Sequence, residues 1–155
     1  MLEMRLAHVA VGLSIASYTD NVELLVLANA FHHLPSVDQL IVDTRLAKKE
    51  FHGAELHTPL FAICVAAITA LFSWKYALLA LFCIGTHLLM DFPTDTGLML
   101  LYLFSGRRFT LNLWKNTGWW GLRGFYHQKW AIVLETAVWL FFLQINGYSY
   151  LELTK

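Results

Sequence analysis

Apolar residues come in blocks along this chain, and the polar breaks between blocks mark out the elements. Leu2 to Ser17 is largely apolar, with Arg5 and His8 inside it; Tyr18-Thr19-Asp20-Asn21 interrupts, and Val22 to Phe31 resumes the apolar character. Asp20 with Glu23 three positions later has capping-box spacing, so a new helix is predicted to begin there. Two pieces of roughly 14 residues each would cover about 21 Å, short of a hydrocarbon core of about 30 Å, which predicts a short hairpin. Pro35 ends the second helix, and polar residues then continue to about His57, with the charged segment Asp43 to Glu50 predicted as a surface helix. Pro59 to Trp74 and Tyr76 to Phe92 are the clearest transmembrane helices, joined at Ser73-Trp74-Lys75-Tyr76, an aromatic and basic cluster of the kind found at a membrane boundary. Phe92 to Gly97 breaks the second of them, and Leu98 to Phe104 is too short to span. Ser105 to Lys129 is basic and Trp-rich, hence interfacial, and Trp130 to Ile145 is a last span that Asn146-Gly147 is expected to stop. The predicted fold is therefore all-α: an integral membrane helical bundle with about three long membrane helices, a short N-terminal helical hairpin and interfacial segments, in one domain over residues 1–155.

Composition supports that class. In a chain of 155 residues, 57% are hydrophobic and only 14% charged, far from the usual soluble balance. The net charge of zero gives no pointer to nucleic acid. Cys64 and Cys83 stand singly in apolar blocks without zinc-site spacing, so they are expected to be core residues. The first apolar run holds a histidine and lacks a small-residue cleavage site, so the N-terminus is expected to be retained. If the N-terminal block is a hairpin, every Lys and Arg except Lys75 and Lys155 falls on one side, which the charge bias makes cytoplasmic.

The candidate chemistry lies on that same side. His87 and Asp91 are four apart in an apolar run, so on a helix both face one way, one turn apart, and can reach a single ion. All histidines but His127 fall within the first 87 residues, close to acidic groups. Ionisable groups at membrane depth cost about 2.5 kcal/mol or more and point to function. Imidazole and carboxylate together suit a divalent metal, most naturally zinc, with iron or manganese also suited.

Four stretches then resemble a known family, the LexA-regulated, membrane-bound metal-dependent hydrolases, also called YdjM-type inner membrane proteins. They are His8; Leu34-Pro35-Ser36-Val37-Asp38-Gln39; His52-Gly53-Ala54-Glu55-Leu56-His57-Thr58; and His87 to Asp91 followed by Thr96-Gly97-Leu98. Their order and internal spacing match the family pattern over roughly residues 5–110. The resemblance implies that His8, Asp38, His57, His87 and Asp91 are metal ligands or ligand partners, with His52 a further candidate. Four positions depart from the pattern: Ser36 stands in place of an Asp, Gln39 of a His, Gly53 of an Arg and Leu56 of a Thr. Such losses would reduce a two-metal site to one metal or leave a degenerate site with none, with His32 and His33 as substitutes outside the family's positions.

The chemistry implied is metal-assisted hydrolysis of an ester or phosphoester, a lipid being one candidate substrate, with Glu55 or His52 as general base. Membrane lipids are the expected partners. A competing expectation is a non-catalytic accessory transmembrane subunit of a larger membrane protein complex, with an eroded site. A third is a haem or pigment carrier using intramembrane histidines.

Overall fold

The order of elements is α1 (Arg5–Ser17), α2 (Val22–His33), α3 (Val37–Asp43), α4 (Pro59–Ala70), α5 (Trp74–Asp91) and α6 (Lys129–Leu153). The computed structural model describes residues 5–17, 21–48, 53–95, 97–113 and 128–153, and among them the regular elements are all helices. Helices α1 and α2 pack as the predicted hairpin; α2 also lies against α5, α5 against α4, and α1 against α6.

Local chemistry sets the register of this bundle. The cap of α2 is Asn21, whose side chain accepts from the Glu23 N–H at 2.7 Å. This cap is one residue later than the sequence spacing suggests, and Asp20 lies outside the described residues. The Glu23 carboxylate is used elsewhere: the Tyr76 hydroxyl donates to it, tying the start of α2 to the start of α5. From that tie, His32 is nine residues along α2 and Thr86 ten along α5, rises of about 14 and 15 Å at ~1.5 Å per residue. Parallel helices pinned at one end thus bring these residues level at the other. Thr58 caps α4 by accepting from Phe61 N–H at 3.1 Å, with Pro59 at the first helical position, and Ser73 caps α5. Because α4 and α5 form an antiparallel hairpin, His57 at the entry of α4 meets Asp91 at the exit of α5.

Small residues let the helices approach. Ala7 on α1 and Ala131 on α6 are fully buried together beneath Met90, Leu134 and Val138, and Ala28 on α2 packs on Cys83 of α5. A larger apolar cluster, Ala62, Ile84, Leu88 and Leu98 with Phe31, Phe61 and Phe92 around it, holds α4, α5 and the following loop together. That loop is closed by one antiparallel bridge, Leu98 to Phe109, with both N–H···O bonds at 2.8 Å. Gly97 permits the bridge: its φ is 63°, and a Cβ there would stand 2.7 Å from the Phe109 carbonyl oxygen.

Three expected elements differ. The helix expected over Asp43 to Glu50 lies earlier, at Val37–Asp43, and ends where Thr44 bonds back to Leu40 and Ile41 carbonyls and Arg45 turns to φ 62°. Helix α6 runs through Asn146-Gly147 to Leu153; a glycine costs a helix about 1 kcal/mol relative to alanine, too little to stop one of this length. The interfacial reading of Trp114 to His127 lies outside the described residues. The expected membrane helices fall on α4, α5 and α6, yet among the described residues no helix is long and apolar enough to cross a membrane. Helix α4 has only 12 residues, about 18 Å at ~1.5 Å each. Lys75, His87 and Asp91 dilute the apolar run of α5. The outer faces are nevertheless apolar: Ile68, Leu71, Phe72, Phe82, Leu89 and Phe141 are all exposed.

Candidate metal centre

At the end of the bundle where α2 and α5 finish and α4 begins, six ionisable or imidazole side chains meet out of solvent: His8, His32, Asp38, His57, His87 and Asp91 are each 6% exposed or less. Helix periodicity delivers the core pair. His87 and Asp91 share the inner face of α5, with Nε2 3.3 Å from Oδ2. Across from them, His57 places its Nε2 3.4 Å from Asp91 Oδ2 and 3.4 Å from His87 Nε2.

These three separations form a nearly equilateral triangle, and their size is informative. Hydrogen bonds of this kind run to about 3.2 Å. Ligand atoms about 2.0–2.1 Å from a tetrahedral zinc ion lie about 3.3–3.4 Å apart. The triangle of His57 Nε2, His87 Nε2 and Asp91 Oδ2 therefore has the dimensions of one face of a metal tetrahedron.

Proton placement agrees with that reading. The outer nitrogen of His57, Nδ1, is 3.0 Å from Asp38 Oδ2, a fully buried carboxylate oxygen that also accepts the Gly53 N–H at 2.8 Å. The negative charge of Asp38 so close to Nδ1 favours the tautomer of His57 with its proton there, which turns a lone pair of Nε2 inward. Asp91 Oδ2 is buried and makes no hydrogen bond. A carboxylate behind an imidazole whose other nitrogen faces inward is the usual surrounding of a protein-bound metal, and an orphaned carboxylate oxygen at the focus calls for a cation. The donor set present fits a divalent ion.

The loop behind Asp38 is itself anchored. Gly53 adopts φ 70°, and its carbonyl accepts from Arg108 Nη1 at 2.8 Å, so the 97–113 loop is bonded through Gly53 and Asp38 to His57.

Of the candidate residues, His57, His87 and Asp91 converge on one point. Asp38 is on the far side of the His57 ring and touches that point through it. His8, in the first turn of α1, sets Nε2 3.6 Å from the other Asp91 oxygen and Nδ1 3.2 Å from His32 Nε2. Glu55 pairs with Tyr102, while its Oε2 is buried without a hydrogen bond. His52 lies outside the described residues. Ser36 and Gln39 are not needed to form the triangle, so the departures from the family pattern leave it intact.

The sequence offers one residue of the cluster, His32, only as a substitute. It is fully buried, with its ring against those of His8, His33 and His87. No spacing in the sequence marks it; at Gly12, on the facing helix, a Cβ would crowd Asn29 Oδ1 at 3.0 Å but meet the His32 ring only in ordinary contact at 3.6 Å.

Fold and site together define an all-helical protein with a buried imidazole and carboxylate cluster able to hold a metal ion. The chain belongs to the YdjM inner membrane protein family, whose model matches residues 4–153. The match extends past the motif-bearing stretch into α6. No curated relative and no solved structure matches the chain.

Proposed function

We propose that this chain is a membrane-seated, metal-dependent hydrolase that acts on an ester or phosphoester, with a divalent ion, most naturally zinc, held by His57, His87 and Asp91. The observation that carries the reading is the triangle of donor atoms with sides of 3.3, 3.4 and 3.4 Å. Three protein ligands leave the fourth tetrahedral position open, which is the arrangement of catalytic rather than structural zinc. An ion there would act as a Lewis acid, making water nucleophilic near neutral pH and polarising the oxygen under attack. Asp38 fixes the His57 tautomer, and Arg108 and Gly53 hold Asp38 in place. Glu55, with one buried oxygen unbonded, is the candidate general base, and His52 is the second.

The membrane seat is supported by the family and by the outward apolar residues of α4, α5 and α6, which a lipid environment would cover. An integral bundle with its polar site toward the cytoplasm follows from the placement of Lys and Arg. The substrate class follows from that seat: a lipid ester or phosphoester.

The test is hydrolysis by detergent-purified protein loaded with zinc, assayed on short-chain nitrophenyl esters, nitrophenyl phosphodiesters and phospholipid in mixed micelles. Turnover of at least one, abolished by Asp91→Asn and by a chelator, is expected. No turnover of any of them by protein shown to hold zinc would overturn the hydrolase reading. It would favour the second one, an accessory subunit of a larger membrane complex. An apolar groove of about 870 Å³ between α4 and α5, lined by Ile63, Leu81, Phe82 and Leu98, favours that alternative by offering a partner helix a seat.

A further inference from the structure

His8 and His32 form a second convergence beside the first. The outer nitrogen of His32, Nδ1, lies 3.1 Å from the Cys83 carbonyl oxygen and 3.3 Å from Thr86 Oγ1. Thr86 spends its own hydroxyl proton on the same carbonyl, at 2.8 Å. Both neighbours therefore present lone pairs, so Nδ1 of His32 carries the N–H and its Nε2 is an acceptor. That acceptor points at His8 Nδ1, 3.2 Å away.

His8 then has two acceptors to satisfy and, as a neutral ring, one proton. Its Nε2 faces Asp91 Oδ1 at 3.6 Å, and its Nδ1 faces the lone pair of His32. With the proton on Nε2, two imidazole lone pairs meet at 3.2 Å; with the proton on Nδ1, a lone pair faces a carboxylate. Either arrangement is repulsive inside a buried site, and a positive charge resolves it in one of two forms, a second proton on His8 or a metal ion between the rings. A cation between His8 Nδ1 and His32 Nε2 removes the conflict: Nε2–H of His8 then faces Asp91, Nδ1–H of His32 donates to Cys83, and both inner nitrogens become ligands. The 3.2 Å separation is at the upper end of a hydrogen bond and just short of the ~3.3 Å edge set by ~2.0 Å metal–nitrogen bonds, so His87 is what favours the metal. A nitrogen of His87 joins them, all three ligand atoms lying within 4.8 Å of one another, and His87 Nδ1 is buried without a hydrogen bond.

We infer that the chain holds a second divalent cation on His8 Nδ1 and His32 Nε2, bordered by His87, next to the ion on His57, His87 and Asp91. This rests on the metal reading of the first site and extends it to a paired centre in which His87 is common to the two groups of ligands. All-imidazole ligation suits zinc, copper, nickel or iron rather than magnesium or calcium. In paired-metal hydrolytic sites the two ions clamp the attacking and leaving oxygens.

The experiment is a titration of detergent-purified, chelator-stripped protein with cobalt(II), read by visible absorption, with zinc content measured in parallel by elemental analysis. Wild type should bind two equivalents. His32→Gln and His8→Gln should each bind one, and His57→Gln should keep one, bound to the His8 and His32 pair with a different spectrum. His33→Gln, altering the half-buried neighbour, should still bind two. Helical circular dichroism would verify that each variant is folded. One equivalent in wild type, lost in His57→Gln and unchanged in His32→Gln, would overturn the second cation while leaving the first standing, and would assign the His8 to His32 contact to a shared proton. No bound metal in wild type would overturn both.

Discussion

Helix α5 has two faces that follow opposite rules. Its inner face carries Cys83, Ile84, His87 and Asp91, and His87 is only 2% exposed; its outer face carries Leu78, Phe82 and Leu89, and Leu89 is 70% exposed. In water the outer face is unfavourable, since each large apolar side chain left exposed forgoes about 1.5–3 kcal/mol of burial. The inner face buries a carboxylate, which costs several kcal/mol unless it is paired, and the partners within reach of Asp91 are the imidazoles of His8, His57 and His87, which pair with it fully only when they carry positive charge or a cation. Both costs disappear together if lipid covers the outside and a cation occupies the inside. The proposed lipid and metal surroundings would thus satisfy one face each, and either half can be broken separately.

The largest expected effect is on the outer face. Phe82→Lys should cost about 2.5–3.5 kcal/mol if the position lies at hydrocarbon depth. Membrane fractions washed with alkaline carbonate would then show much of the variant released or degraded, and full retention would count against the lipid contact. On the inner face, Asp91→Ala removes the carboxylate at the focus of the cluster. Zinc affinity measured by competition with a chromophoric chelator should fall by more than about 100-fold, beyond the ~10–100-fold typical of an outer partner. Unchanged affinity would make the cluster a helix-packing network. Asp38→Asn sits one step back, and the same assay should show a loss of about 10–100-fold with the helical spectrum intact. The smallest effect belongs to Gly85, on the groove side of α5, where an added Cβ meets nothing within 4 Å. Gly85→Ala should leave zinc affinity unchanged and raise thermal stability by up to about 1 kcal/mol. A clear loss there would mean that the groove needs its open floor.

The inner face is legible in the sequence because helical spacing is local information. His87 and Asp91 are four residues apart, and any helix places them together. The N-terminal hairpin is legible for a similar reason, since the polar break between Ser17 and Val22 separates two apolar blocks too short to span. His57 is placed near them only through family order, and Asp38 can be named without its role. That Asp38 touches the outer rather than the inner nitrogen of His57 depends on the turn at Gly53, which no periodicity encodes. His32 stays hidden because its partners, His8, Cys83 and Thr86, are 24, 51 and 54 residues away. Their meeting depends on the Tyr76 to Glu23 tie that aligns α2 with α5. The C-terminal end of α6 escapes the sequence pattern because a lone glycine costs about 1 kcal/mol, which the turns beyond it outweigh. The limits of α3 escape it because charged residues mark a surface without marking where a helix starts.

The most direct test of the central claim is zinc X-ray absorption on detergent-purified protein carrying one equivalent of metal. A shell of nitrogen and oxygen scatterers at about 2.0–2.1 Å with imidazole outer scattering, reduced by one imidazole in His57→Gln and losing its carboxylate in Asp91→Asn, is what the His57, His87 and Asp91 site predicts. Zinc that washes away, or a shell unchanged by both substitutions, would contradict it.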